Sequence, residues 1–196
     1  GVLAPGDAAA GNASSTYVFD PENPVPTRGG LNLTIDAGPY DQSSLESRPD
    51  VLLFTTAALT QPLEVTGDLK AIIYVSSDAS DTDFTAKLTD VYPDGRSMLI
   101  ADGIIRARYR NSLSSTELMT PGAVYRVEID LWATSIIINT GHRLRLAISS
   151  SNNPRFDVNP NTGGDTFDKE NMITATNTIY YNSTYPSHVL LPVVSP

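Results

Sequence analysis

No cysteine occurs among the 196 residues, which removes a disulfide framework, a thiol nucleophile and thiolate metal ligation together. Histidine is almost as scarce: the two present form no H-E-x-x-H pattern, so nothing in the sequence calls for zinc or for any cofactor. Positive charge is in short supply as well, with 13 Lys and Arg against 22 Asp and Glu. The resulting formal charge of -9 repels phosphate backbones and anionic headgroups, so nucleic acid and membrane surfaces are not the expected partners. No apolar run approaches the roughly 20 residues that span a bilayer. The opening GVLAPGDAAAG lacks the basic and apolar regions of a signal peptide. Also missing is G-x-S-x-G, the elbow that presents the serine of an α/β-hydrolase, so the chain is expected to carry no catalytic residue of that kind. Sequons at Asn12, Asn32 and Asn182 are about as many as composition gives by chance and do not fix a compartment. Gly1, standing where an initiator Met would, reads as the mark of a longer precursor.

What is present is strand after strand. Tyr125, Val127, Ile129 and Leu131 share one parity while Arg126, Glu128 and Asp130 take the other, which predicts a half-buried strand over 124–131. Leu144, Leu146 and Ile148 repeat the pattern over 142–149, whereas both parities are mostly apolar over 69–75, as in a strand covered on each face. Segments 84–91 and 97–109 flank Pro93, Asp94, Gly95 and Arg96 and read as a hairpin. Further strands are expected at 15–19, 51–55, 173–181 and 188–193, with a short helical turn near 43–48. The sum predicts one all-β domain over 1–196, a two-sheet antiparallel β-sandwich of jelly-roll type. It is preceded by an N-terminal loop (1–16) and carries two long loops, 21–49 and 151–169, of a length that usually serves function or an interface.

Several constellations invite a chemical reading. Asp78, Asp81 and Asp83 are the candidates for calcium, although D-x-x-D-x-D lacks the EF-hand spacing and equally suits a capped turn. Arg106, Arg108 and Arg110 alternate, so on one strand they would project together, either pairing with Glu128 and Asp130 or forming an anion-binding or docking stripe. Tyr180, Tyr181 and Tyr185 are the candidates for stacking on sugar rings, which keeps a stand-alone carbohydrate-binding module as the alternative function. Trp132 falls just past an alternating strand, where an indole usually finishes a core. Ser150, His142 and Asp157 make a nominal triad with no positioned base or oxyanion hole, and His142 reads instead as a structural histidine at a strand start.

Collinear segments carry a resemblance over almost the whole chain. They are YVFDPENPVPTRGG from Tyr17, AGPYDQ from Ala37, RPDVLLFTT from Arg48, the long run from Val65 to Arg96, DGIIRARYR from Asp102, GHRLRLAISSSNNPRFDVNPNTGG from Gly141 and PSHVLLPVV from Pro186. Together they resemble the C-terminal non-catalytic domain of the CocE/NonD serine hydrolases, the group of cocaine esterases, α-amino acid ester hydrolases and X-Pro dipeptidyl-peptidases. The resemblance implies a jelly-roll, galactose-binding-like sandwich docked on an α/β-hydrolase catalytic domain of the same parent protein, where the reacting residues lie. It also implies that the loop after the Gly29–Gly30 pair, at Leu31, Asn32 and Leu33, reaches the rim of the substrate pocket. That loop is shorter here than in the cocaine esterases. Relatives carry further strands ahead of the position of Gly1, and an edge left open by their absence would favour a homo-oligomer.

Overall fold

Nine strands follow one another in a computed structural model that describes every residue except Asp7, Ala9, Thr34, Ser195 and Pro196. They are β1 (Ser14–Phe19), β2 (Leu52–Thr55), β3 (Leu63–Ser77), β4 (Asp83–Val91), β5 (Ser97–Arg106), β6 (Tyr125–Ile138), β7 (Arg143–Ser149), β8 (Ala175–Tyr180) and β9 (His188–Leu190). One sheet has the order β1-β8-β3-β6, with β9 pairing the middle of β3, and the other has the order β2-β7-β4-β5. All strand pairs are antiparallel, and the partners 1 with 8, 2 with 7, 3 with 6 and 4 with 5 nest in sequence. This order is compatible with a jelly roll, in which one long hairpin is wound into two facing sheets.

Alternation explains the core. Leu69, Ile73, Val127, Ile129 and Leu131 of one sheet face Phe84, Leu88, Leu144, Leu146 and Ile148 of the other, all buried in one cluster. Each such side chain withdrawn from water contributes about 1.5–3 kcal/mol before the entropy of ordering it. The sandwich closes along one edge where β5 meets β6: a Cβ on Gly103 would run into the Asp130 carbonyl, so only glycine permits the approach. Strand β4 is buried along its full length because the long 21–49 segment lies over the outer face of its sheet, where Val25, Leu45 and Val51 surround Lys87 and Ala147.

Three expectations are corrected here. Strand β5 ends at Arg106 and Ala107–Tyr109 form a 3-10 turn, so the three arginines do not share a strand face. Arg106 pairs with Asp83, Arg108 with Asp81 and Arg110 with Glu117, while Glu128 is taken by Lys70 and Arg126. Residues 43–48 make successive turns, Leu45 N–H to Gln42 O and Arg48 N–H to Leu45 O, and no regular helix. Strand β6 does not stop at Leu131 but runs on to Ile138, and Trp132 is exposed rather than in the core.

Candidate functional site

An open cleft of about 680 Å³ lies between the loop 29–39 and the strands β5 and β6 where the two sheets meet. The loop exists because of its glycines. Gly29 and Gly30 both hold positive φ (65° and 85°), turning the chain so that Gly30 and Gly38 exchange backbone hydrogen bonds of 2.8 and 3.1 Å. The Asn32 side chain braces the loop from inside, its amide donating to Gly29 O (3.0 Å) and its carbonyl oxygen accepting from Ile35 N–H (2.9 Å). Leu31 and Leu33 are left to face outward, 71% and 103% exposed.

The opposite wall is Trp132. In the β3–β6 ladder Lys70 pairs with Asp130 and Asp68 with Ala133, so Leu131 and Trp132 together oppose Leu69. Two residues against one is a β-bulge, which bends the strand and re-aims a side chain. Trp132 sits in the bulge at φ 66° with its N–H held by Asp130 Oδ1 at 2.8 Å, and its indole is 61% exposed. Beneath lies Asp102, whose carboxylate is buried and shared between the Arg155 guanidinium and Asn152 Nδ2 (3.0 Å). Gly30 rests on this ion pair, since a Cβ there would come within 3.1 Å of Arg155 Nη1 and 3.3 Å of Asp102 Oδ1.

The exposed walls of the cleft are large and apolar, its acidic group is paired with Arg155, and among the described residues no free nucleophile or base lines it. Of the residues around it, Leu31, Asn32 and Leu33 are the loop that the resemblance singles out, whereas Trp132, Asp102 and Arg155 carried no signal for this place. Residues 102 and 155 lie in segments that carry the family resemblance, but nothing local says that they meet.

The other candidates are dispersed. Asp78 Oδ1 accepts from Thr176 N–H (2.7 Å), away from the pair Asp81 and Asp83, which are joined by Asn159 Nδ2 (2.9 and 2.7 Å) and bound to Arg108 and Arg106. Among the described residues no three metal-ligating side chains of His, Cys, Asp or Glu gather. Ser150 lies past the end of β7, bonded to Tyr17 OH (2.7 Å) and Asn177 (2.9 Å), and His142 lies before its start, bonded to Asp90 (2.8 Å). The intervening strand, rising about 3.3 Å per residue, keeps them more than roughly 20 Å apart, so no triad forms. Tyr180 and Tyr185 cluster with Tyr74 at ring separations of 5.4 and 5.7 Å, but Tyr181 turns away to pack edge-on against Phe54.

Comparison with known proteins agrees with this architecture. The pattern of the X-Pro dipeptidyl-peptidase C-terminal non-catalytic domain matches residues 4–190. The chain is 47% identical over 186 residues to a cocaine esterase of Rhodococcus sp. (strain MB1 Bresler), covering 93% of this chain and 32% of that protein. Among solved structures, an aminopeptidase from a marine sediment Thaumarchaeota archaeon superposes with a TM-score of 0.88 at 30% identity, over 97% of this chain and 34% of that one. An α-amino acid ester hydrolase superposes at 0.84 and 31% identity, over 92% of this chain and 32% of that one. The chain thus spans about a third of the length of these relatives. Matched along nearly its whole length and folded as they are, the chain belongs to the X-Pro dipeptidyl-peptidase C-terminal domain family, the non-catalytic C-terminal domain of CocE/NonD-type hydrolases.

Proposed function

We propose that this domain packs on the α/β-hydrolase catalytic domain of its parent polypeptide and supplies one wall of the substrate pocket through the cleft formed by Leu31, Leu33 and Trp132. The observation that carries the reading is the exposure of these three large apolar side chains around a preformed cleft. Contiguous apolar surface is kept out of water only by a partner or a ligand. Relatives about three times as long as this chain have a catalytic portion to provide both. The domain would then act through pocket shape and exclusion of water, with bond making left to the catalytic portion.

The test is Leu31→Asp and Leu33→Asp in the full-length hydrolase. A carboxylate on the apolar wall should raise KM by roughly tenfold, or about 1.4 kcal/mol of lost binding, with kcat within about twofold of the unmodified enzyme. Unchanged kcat/KM in both variants would remove the loop from the pocket. The alternative, a carbohydrate-binding module, would use the Tyr74, Tyr180 and Tyr185 rings. Glycan binding lost on Tyr180→Ala would favour it.

A further inference from the structure

The rim loop leaves the body of the domain at Arg28 and returns at Tyr40, and one buried side chain holds both ends. Gln42 is 2% exposed, and its Nε2 donates to Arg28 O at 2.8 Å and to Tyr40 O at 2.9 Å. The returning end is also tied to β5, by Leu99 N–H to Tyr40 O (3.2 Å) and Gln42 N–H to Ser97 O (2.8 Å). The outgoing end is tied to the returning end through the Gln42 amide and, farther out, through Gly30 and Gly38.

An amide can bridge two carbonyls only if its NH2 faces them and its oxygen faces away. Here the oxygen meets the Lys87 ammonium, with Nζ donating to Oε1 at 3.2 Å. Lys87 stands on the outward face of β4, 6% exposed, and among the described residues it reaches no carboxylate within ion-pair distance. A buried ammonium without a direct counter-ion is a costly choice for a position whose neighbours Ala86 and Leu88 are core. Its evident partner is the one amide oxygen whose orientation decides whether the loop is closed.

We propose that Gln42 and Lys87 form a latch that sets the position of the rim loop, and that both are positioning residues for the cleft. The consequence for substrate binding rests on the rim-loop reading above; the latch itself does not.

The discriminating variant is Gln42→Glu. It keeps the size of the side chain and offers Lys87 a carboxylate, so a residue needed only for packing or charge balance would be replaced without harm. It removes both donors to Arg28 and Tyr40. Amide hydrogen exchange of the isolated chain at pH 7 should accelerate in peptides covering 29–40 by roughly tenfold, the factor expected for a lost hydrogen bond of ordinary net strength. Peptides from β3 and β4 should keep their wild-type rates. Lys87→Met should release the same peptides by a smaller factor, because the amide is then free to turn. Wild-type exchange over 29–40 in both variants, or equal acceleration through the core strands, overturns the latch. In the full-length hydrolase, a raised KM in Gln42→Glu supports the latch and the rim reading together. Faster loop exchange with KM unchanged, in this variant and in Leu33→Asp, leaves the latch standing and removes the rim reading.

Discussion

The backbone at Trp132 records a local conflict between a residue and its conformation. A left-handed φ costs an L-residue about 1–2 kcal/mol because its Cβ crowds the following carbonyl, and a large exposed indole gains little in packing to offset that. Substitution can separate the strain from the loss of the indole. Trp132→Ala and Trp132→Gly both delete the ring, but only glycine relieves the backbone. The glycine variant should be the more stable of the two by about 1 kcal/mol, which reverses the usual preference for alanine over glycine inside a strand. Urea unfolding of the pair measures this directly, and an alanine variant equal to or more stable than the glycine one would show that the bulge relaxes and stores no strain. Strain of this kind is invisible to periodicity, which is why the sequence suggested a core tryptophan. Lys87 misleads in the same way: in FTAKLTDV it holds the outward parity of a strand and reads as a solvated charge, and only the 21–49 segment lying over it makes it buried.

Elements were legible where alternation is unbroken and illegible where chain-distant residues decide. The β7 strand could be read from parity and the β4–β5 hairpin from its turn residues, but β3 was legible only over its apolar stretch: it starts at Leu63, and its outer face is exposed as far as Lys70. The end of β5 could not, because Asp81 takes Arg108 through both its backbone N–H (2.9 Å) and its Nε (2.7 Å) and so turns the chain into the 3-10 segment. Asn159 Nδ2 joins the same carboxylate from the 151–169 loop, and Ser80 Oγ donates to Thr162 O (3.2 Å) alongside it. What looked like a calcium cluster is thus a clasp that fastens a long loop to the ends of β4 and β5. Asp81 is fully buried, so Asp81→Ala leaves the Arg108 guanidinium without its counter-ion and should destabilise the domain by about 3–5 kcal/mol. Adding Arg108→Met removes the uncompensated charge and should recover most of that loss. A double variant no more stable than Asp81→Ala would mean that the arginine is satisfied by other groups and that the clasp depends on the loop alone.

On the scale of the whole molecule, a chain of net charge -9 repels itself more as the pH rises, so carboxylates alone give no reason for stability to grow above neutrality. Lys87 gives one. Burial pushes its ammonium down to about 8 from an ordinary value of 10.5, with Asp102 and Glu46 opposing the shift and Arg155 adding to it. Below pH 8 the lysine is charged in both the folded and the unfolded chain, and the folded state bears the cost of the buried charge. Between about 8 and 10.5 the folded chain releases the proton while the unfolded chain keeps it. The unfolded state then binds more protons, and the contribution of Lys87 to stability rises with pH; it is greatest above 10.5 and is lost as the pH falls through 8. The gap between the two values corresponds to about 3 kcal/mol for this buried side chain. Lys87→Met has no such proton to lose. Comparing the two proteins at each pH cancels the general self-repulsion, so the stability of the variant relative to wild type should be most favourable at pH 7 and should decline by up to about 3 kcal/mol by pH 10. Denaturant unfolding at a series of pH values checks this. Parallel stability curves would mean that Lys87 keeps its proton throughout, and that the carboxylates of Asp102 and Glu46 compensate for burial across the sheet.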